Sequence, residues 1–189
     1  MRRIHGAAAF GFALLVATPV ACSKSSTAPS VQLSQAQVGQ LYTEISDVLS
    51  SVGASFNLVS YSQGHPLFAL VPPRSAAAST SVSGSGSCPV GGSASFSGSA
   101  DETSNPATFS FTASFSSCKT TDFTVNGSFN ENGSINTSTD AGSITITGNI
   151  SVTASTGSGS CPLNFTVTFS PSTATASGTI CGQNVNGTV

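Results

Sequence analysis

Phe109-Ser110-Phe111-Thr112-Ala113-Ser114-Phe115 decides the fold, because apolar and hydroxyl side chains alternate along it without a break. Successive side chains of an extended chain point to opposite faces, so a period of two buries one face of a strand and wets the other. The same period returns in Phe123-Thr124-Val125, Ile144-Thr145-Ile146, Ile150-Ser151-Val152 and Phe165-Thr166-Val167-Thr168-Phe169. Asn126-Gly127 and Asn132-Gly133 supply turn or bulge signals between these runs, since both dipeptides tolerate positive φ. Connections this short imply antiparallel pairing, in a sheet of roughly seven to nine strands.

One segment upstream has a different period. Val38, Leu41, Tyr42, Ile45, Val48, Leu49 and Val52 recur at three-four spacing, which predicts an amphipathic helix over 33–53 with Ser34 as its amino-terminal cap and Gly53 as its stop. Such a helix is marginal alone and must lay its stripe on the sheet. The fold class expected is therefore mostly β (α+β): one amphipathic helix on an antiparallel sheet, arranged as a sandwich or partial barrel. Residues 56–71 form two short alternating runs around Gln63-Gly64-His65-Pro66 and predict a hairpin. Pro72-Pro73 and the Ala, Ser and Gly that follow predict a loop over 72–87, ahead of a two-copy β region over 88–189.

The two copies are read from Gly84-Ser85-Gly86-Ser87-Cys88-Pro89 and Gly157-Ser158-Gly159-Ser160-Cys161-Pro162, each with a phenylalanine eight residues after its cysteine, at Phe96 and Phe169. Cys118 precedes Val125-Asn126-Gly127 as Cys181 precedes Val185-Asn186-Gly187. The midpoint of Cys88 and Cys118 falls in Asp101-Glu102-Thr103-Ser104-Asn105-Pro106, and that of Cys161 and Cys181 in Ser170-Pro171-Ser172, both turn-like. Each pair should face across the open end of a hairpin, which predicts disulfides Cys88–Cys118 and Cys161–Cys181. Aligning the apolar faces pairs Phe96 with Phe109 and Phe169 with Ala174, one residue out of step with the cysteines, so a bulge is expected before Cys118 and another before Cys181. Zinc is the competing use of these thiols, but no Cys-x-x-Cys is present.

The amino terminus gives an address. Arg2 and Arg3 precede an apolar run from Gly6 to Ala21 interrupted only by Thr18-Pro19, and Val20-Ala21-Cys22 then opens into Ser23-Lys24-Ser25-Ser26-Thr27. This arrangement resembles the signal segment of bacterial lipoproteins, although Pro19 stands where that family generally carries leucine. The resemblance implies removal of residues 1–21, acylation of Cys22 and a lipid-anchored tether over 22–32 ahead of a single folded domain, 33–189. It further implies a location in the cell envelope, with Ser23 pointing to the outer membrane, facing the periplasm or the exterior. An ordinary cleaved signal peptide and a membrane anchor are the other readings, and the apolar run is short for a bilayer span of ~20 residues.

Charged residues make up only 6% of the chain, and beyond Cys22 the cations are Lys24, Arg74 and Lys119 alone. Nucleic acid is therefore excluded as a partner, since it requires clustered Lys and Arg. His65, in the turn-like Gln63-Gly64-His65-Pro66, reads as solvated, and no Gly-x-Ser-x-Gly singles out a serine nucleophile. Asp101-Glu102 with Asp122, Glu131 or Asp140 could form a glycosidase-like pair, but the chain has no Trp and only Tyr42 and Tyr61 to line a sugar cleft. These acids read as loop-tip solubilisers, and Asn130 to Asp140 as a hairpin turn without the acid spacing of a calcium loop. No catalytic residue, metal or cofactor is expected.

These readings converge on a lipid-anchored envelope protein, not an enzyme, with a structural or non-covalent binding role. Its partners are the membrane, through the lipid, and a hydrophobic ligand or envelope protein. The alternative is a carrier holding a lipid or other hydrophobic ligand in a cavity between helix and sheet. A hydrolase has the least support.

Overall fold

The computed structural model describes residues 30–52, 57–58, 70–71, 79–101 and 103–188. Cys22, His65 and Arg74 lie outside them, as do the export segment and most of the tether. Gln35–Ser51 form α1. Ser34 accepts from the Gln37 N–H, and the Gln37 side chain accepts from the Ser34 N–H, a reciprocal cap that stabilises the first turn by about 1 kcal/mol. The helix ends at Val52, one residue ahead of the expected glycine stop, which is not among the described residues. β1 (Asn57–Leu58) pairs antiparallel with β2 (Leu70–Val71), at the two ends of the expected hairpin.

The remainder is one antiparallel meander: β3 (Ser79–Ser87), β4 (Gly91–Asp101), β5 (Ala107–Lys119), β6 (Thr124–Asn136), β7 (Ala141–Ala154), β8 (Gly157–Ser170) and β9 (Thr173–Ile180), each paired with the next. The short β10 (Gln183–Asn184) and β11 (Gly187–Thr188) both pair with β9 and cover its outer edge. The sheet is open, and one face carries the helix.

Several expectations need correction. Part of the loop expected over 72–87 is strand β3, which pairs along its whole length with β4. Its inward residues include Val82, Gly84 and Gly86, so it carries almost no periodic apolar signal; long-range pairing overrides its Ser-Gly composition. Asn132-Gly133 is not a turn but the middle of β6, and the Asn130 to Asp140 hairpin turn shrinks to residues 137–140. Phe96 faces Ala113 and Phe109 faces Ala100, while Phe169 does face Ala174. The two Gly-Ser-Gly-Ser-Cys-Pro stretches also sit differently: the first ends β3 and enters a turn, the second runs inside β8.

The repeated Val-Asn-Gly elements, in contrast, each set an asparagine against a backbone N–H of an earlier strand. The β5–β6 ladder slips between Phe115 and Cys118, where Ser117 adopts φ 47°. In the second copy the ladder runs unbroken to Ile180 opposite Leu163, and the slip falls on Cys181 itself, at φ 49°. In the first copy the asparagine of Val-Asn-Gly accepts the N–H at the break, and in the second it accepts one from within β9, three residues before Cys181. Asn126 Oδ1 takes Ser117 N at 2.7 Å, and Asn186 Oδ1 takes Gly178 N at 3.2 Å. Both disulfides form as expected, Cys88–Cys118 and Cys161–Cys181, at the same end of the sheet.

On the inner face each strand phenylalanine stands opposite a glycine: Phe96 and Gly84, Phe111 and Gly98, Phe109 and Gly133, Phe115 and Gly127, Phe129 and Gly148, Phe169 and Gly142, Phe165 and Gly178. At Gly84, Gly98, Gly133 and Gly142 a Cβ would collide with the ring of the facing phenylalanine, and at Gly148 and Gly178 with the Cα and Cβ of Phe129 and Phe165. The rings of Phe96, Phe109, Phe111 and Phe169 therefore lie against bare backbone, a device that lets a sheet bend and still bury its aromatic area. Bending is required, because a helix about 10–12 Å wide cannot cover strands about 45 Å long. The sheet must therefore bend toward α1 for its strand ends to be buried. Val38, Leu41, Ile45, Val48 and Leu49 are each 5% exposed or less, as are Phe109, Phe111 and Phe165. The interface between helix and sheet is thus filled with side chains.

Candidate functional site

The helix touches both margins of the sheet. At its amino end Gln183 donates to the Leu33 carbonyl at 3.0 Å and Gln35 to the Asn184 carbonyl at 3.4 Å. At its carboxyl end Val52 packs over Gly84 and Gly86 of β3. In between, Gln40 donates to both Asp122, in the β5–β6 turn, and Glu44, while Glu44 accepts from the Asp122 N–H at 3.4 Å. Partial loss of hydration, reinforced by Glu44, holds the Asp122 carboxyl above its ordinary range; Gln40 opposes this.

Where the amino-terminal half of α1 passes β9 and β11, the packing opens into a cleft of about 770 Å³. Val38, Tyr42, Ala176, Ile180 and Val185 make its apolar lining, and Gln35, Gln40, Thr43, Asn186 and Thr188 add amides and hydroxyls. None of the described side chains lining it carries a charge. The chain segments that shape it are the capped first turns of α1 and the strand pair β10–β11, held on β9 by Asn186 and by the Val185 N–H on the Gly178 carbonyl at 3.0 Å.

Behind this lining is a buried carboxylate. Glu131 is 2% exposed, on the inner face of β6 between Phe111 of β5 and Ile146 of β7. Tyr42 meets Phe165 edge-on at 5.9 Å, and Phe165 is the next residue across that row, beyond Ile146. Tyr42 is partly exposed along the cleft, yet its hydroxyl is withdrawn from water. Burial first, and the charge of Glu131 second, push it well above the usual phenol range. Among the described residues no buried side-chain nitrogen or oxygen lacks a hydrogen-bond partner.

The sequence does not single out this arrangement, and it places Glu131 among loop-tip acids. The signal was present: Glu131 is in phase with Val125, Gly127, Phe129, Gly133 and Ile135, the inward positions of β6. The other acids of the suggested pair are not brought to it. Asp101 ends β4 at the opposite end of the sheet from Asp122, and its carboxyl is lowered by hydrogen bonds from the Thr103 hydroxyl and N–H. Asp140 lies in the turn entering β7. Among the described residues no group of His, Cys, Asp and Glu is arranged to hold a metal.

The outward face of the sheet is unlike ordinary protein surface. From β3 to β9 every outward position is serine, threonine or asparagine except Gly91, Asp101, Lys119, Ala141 and Pro162. Thr145 and Thr166 share a hydrogen bond of 3.1 Å across strands, and Thr112 donates to Asn130 at 2.8 Å. A lipid-facing barrel presents apolar side chains outward, so this face belongs in water. Comparison of the chain with protein-family models, with curated proteins and with solved structures finds no match.

Proposed function

We propose that the chain is an exported envelope protein, held to the membrane by a lipid on Cys22, that acts structurally or by non-covalent binding and not by catalysis. The tether is supported by Val20-Ala21-Cys22-Ser23 behind its apolar run, and Ser23 favours the outer membrane. The observation that carries binding over catalysis is the placement of the acids. Glu131 is sealed beneath the helix, Asp101 and Asp122 occupy opposite ends of the sheet, and Asp140, in the turn beside Asp101's, is exposed at its tip, so none of these pairings encloses a bond in a cleft. Fractionation of cells expressing the wild type and Cys22→Ser tests the tether. Wild type should enter the detergent phase with the membranes, and Cys22→Ser should be recovered soluble. Equal partitioning of the two would overturn the reading.

The carrier reading has one observation in its favour, the cleft beside α1. The helix–sheet interface itself is filled, so a ligand would have to use this margin.

A further inference from the structure

We infer that the cleft between the first half of α1 and β9–β11 is a binding site for an uncharged amphipathic small molecule, with Gly39 as the residue that keeps it open. This deepens the binding role proposed above and rests on it.

The first observation is the cleft itself. Its volume of about 770 Å³ lies within the range of ~300–1,000 Å³ typical of small-molecule sites. Val38, Ile180 and Val185 offer an apolar wall, and the amides of Gln35 and Asn186 offer hydrogen-bonding groups beside it.

The second is Gly39. Glycine is the poorest helix former after proline, and inside a helix it ordinarily marks a close packing contact. Here a Cβ at position 39 would meet nothing within 4 Å. Neither packing nor a left-handed backbone explains the residue, and it lies on the lining of the cleft. Gly187, on the facing strand, also has open space at its Cβ position, although its φ of 150° already calls for glycine. Bare backbone at Gly39 leaves room for a ligand where a side chain would otherwise project.

The third is charge. No described lining side chain is ionic, so a charged ligand would lose hydration without gaining a partner. Anions are further disfavoured by the carboxylates directly behind the wall, Glu131 against Tyr42 and the Glu44–Asp122 pair against Gln40. The ligand class is therefore a neutral molecule with an apolar body and hydrogen-bonding groups, and not a fatty-acid carboxylate.

The test uses the full chain carrying Cys22→Ser, recovered without detergent, and two aromatic probes that differ in charge. Uncharged N-phenyl-1-naphthylamine should bind saturably with a rise in fluorescence, and anionic 8-anilino-1-naphthalenesulfonate at least ten-fold more weakly. Gly39→Leu supplies a good helix former and fills the cleft. It should raise the melting temperature by about 2–4 °C while weakening the neutral probe at least ten-fold. Opposite signs in stability and binding cannot both come from a damaged fold. Gly39→Ala, a smaller change, should move both readings the same way by less. Absence of saturable binding, equal affinity for the two probes, or unchanged binding by both variants would each sink the site. Membrane partitioning of Cys22→Ser is read separately, so failure here leaves the tether standing.

Discussion

Gly133→Ala isolates the device on which the bent sheet depends. The new Cβ would overlap the Phe109 ring and come within 2.8 Å of the Ser143 carbonyl oxygen. Phe109 is 5% exposed, so its ring cannot swing into water without losing its burial. Overpacking of this kind costs about 1–3 kcal/mol, against which alanine regains roughly 0.5–1 kcal/mol of the conformational entropy that glycine loses on folding. The net expectation is a loss of about 1–2 kcal/mol, or roughly 2–8 °C in melting temperature for a domain of this size. Urea titration followed by circular dichroism, with the disulfides intact, measures it in the wild type and in a Phe109→Ala background. Phe109→Ala itself should cost about 3–5 kcal/mol. With the ring gone, only the carbonyl contact resists the added methyl, so Gly133→Ala should cost about 1 kcal/mol less there than in the wild type. If the substitution is neutral in the wild type, or its cost is the same in both backgrounds, the ring does not lie on that glycine and the bending device is misread.

Three further outcomes follow from the helix, its neighbours and the disulfides. The raised carboxyl of Asp122 means that the folded state holds its proton more tightly than the unfolded chain. Its stability contribution is complete below the ordinary carboxylate range and is lost as pH rises through the elevated value. Asp122→Asn should flatten that part of the pH–stability curve, and an unaltered curve would count against the Glu44–Asp122 contact. Tyr42 should resist ionisation in the native protein past the normal phenol range and titrate normally once unfolded, read by ultraviolet difference spectra against Tyr42→Phe; a Tyr42 that ionises normally in the folded protein contradicts its burial against Glu131. Removing either disulfide should destabilise by about 3 kcal/mol, from the chain freedom returned to loops of sequence separation 30 and 20. A peptide map showing Cys118 joined to Cys161 would contradict the pairing.

Two kinds of information were open in the linear sequence. The stripe from Val38 to Val52 and its Ser34 cap are local, so spacing alone locates α1. The disulfides were legible because a hairpin places its two ends symmetrically about its tip, whatever the register. Register itself was not legible: Phe96 is in phase with both Phe109 and Ala113, and only packing chooses between them. The glycines hid for the same reason. Asn132-Gly133 reads as a turn until Phe109 is known to lie across it, and β3 reads as a linker until Phe96 covers Gly84. Glu131 was misplaced because acids usually face water, although its phase already put it inside. The cleft combines residues 35–43 with residues 176–188, a meeting that no local pattern announces.

The most direct test is the intact mass of the protein extracted from its own membranes under non-reducing conditions. The expected mass is that of residues 22–189 with a diacylglyceryl group and any further acyl chain on Cys22, less the four hydrogens lost in the two disulfides. Iodoacetamide should add nothing to it. A mass that begins at Met1, lacks the lipid, or grows on alkylation would contradict a lipid-tethered body closed by paired cysteines.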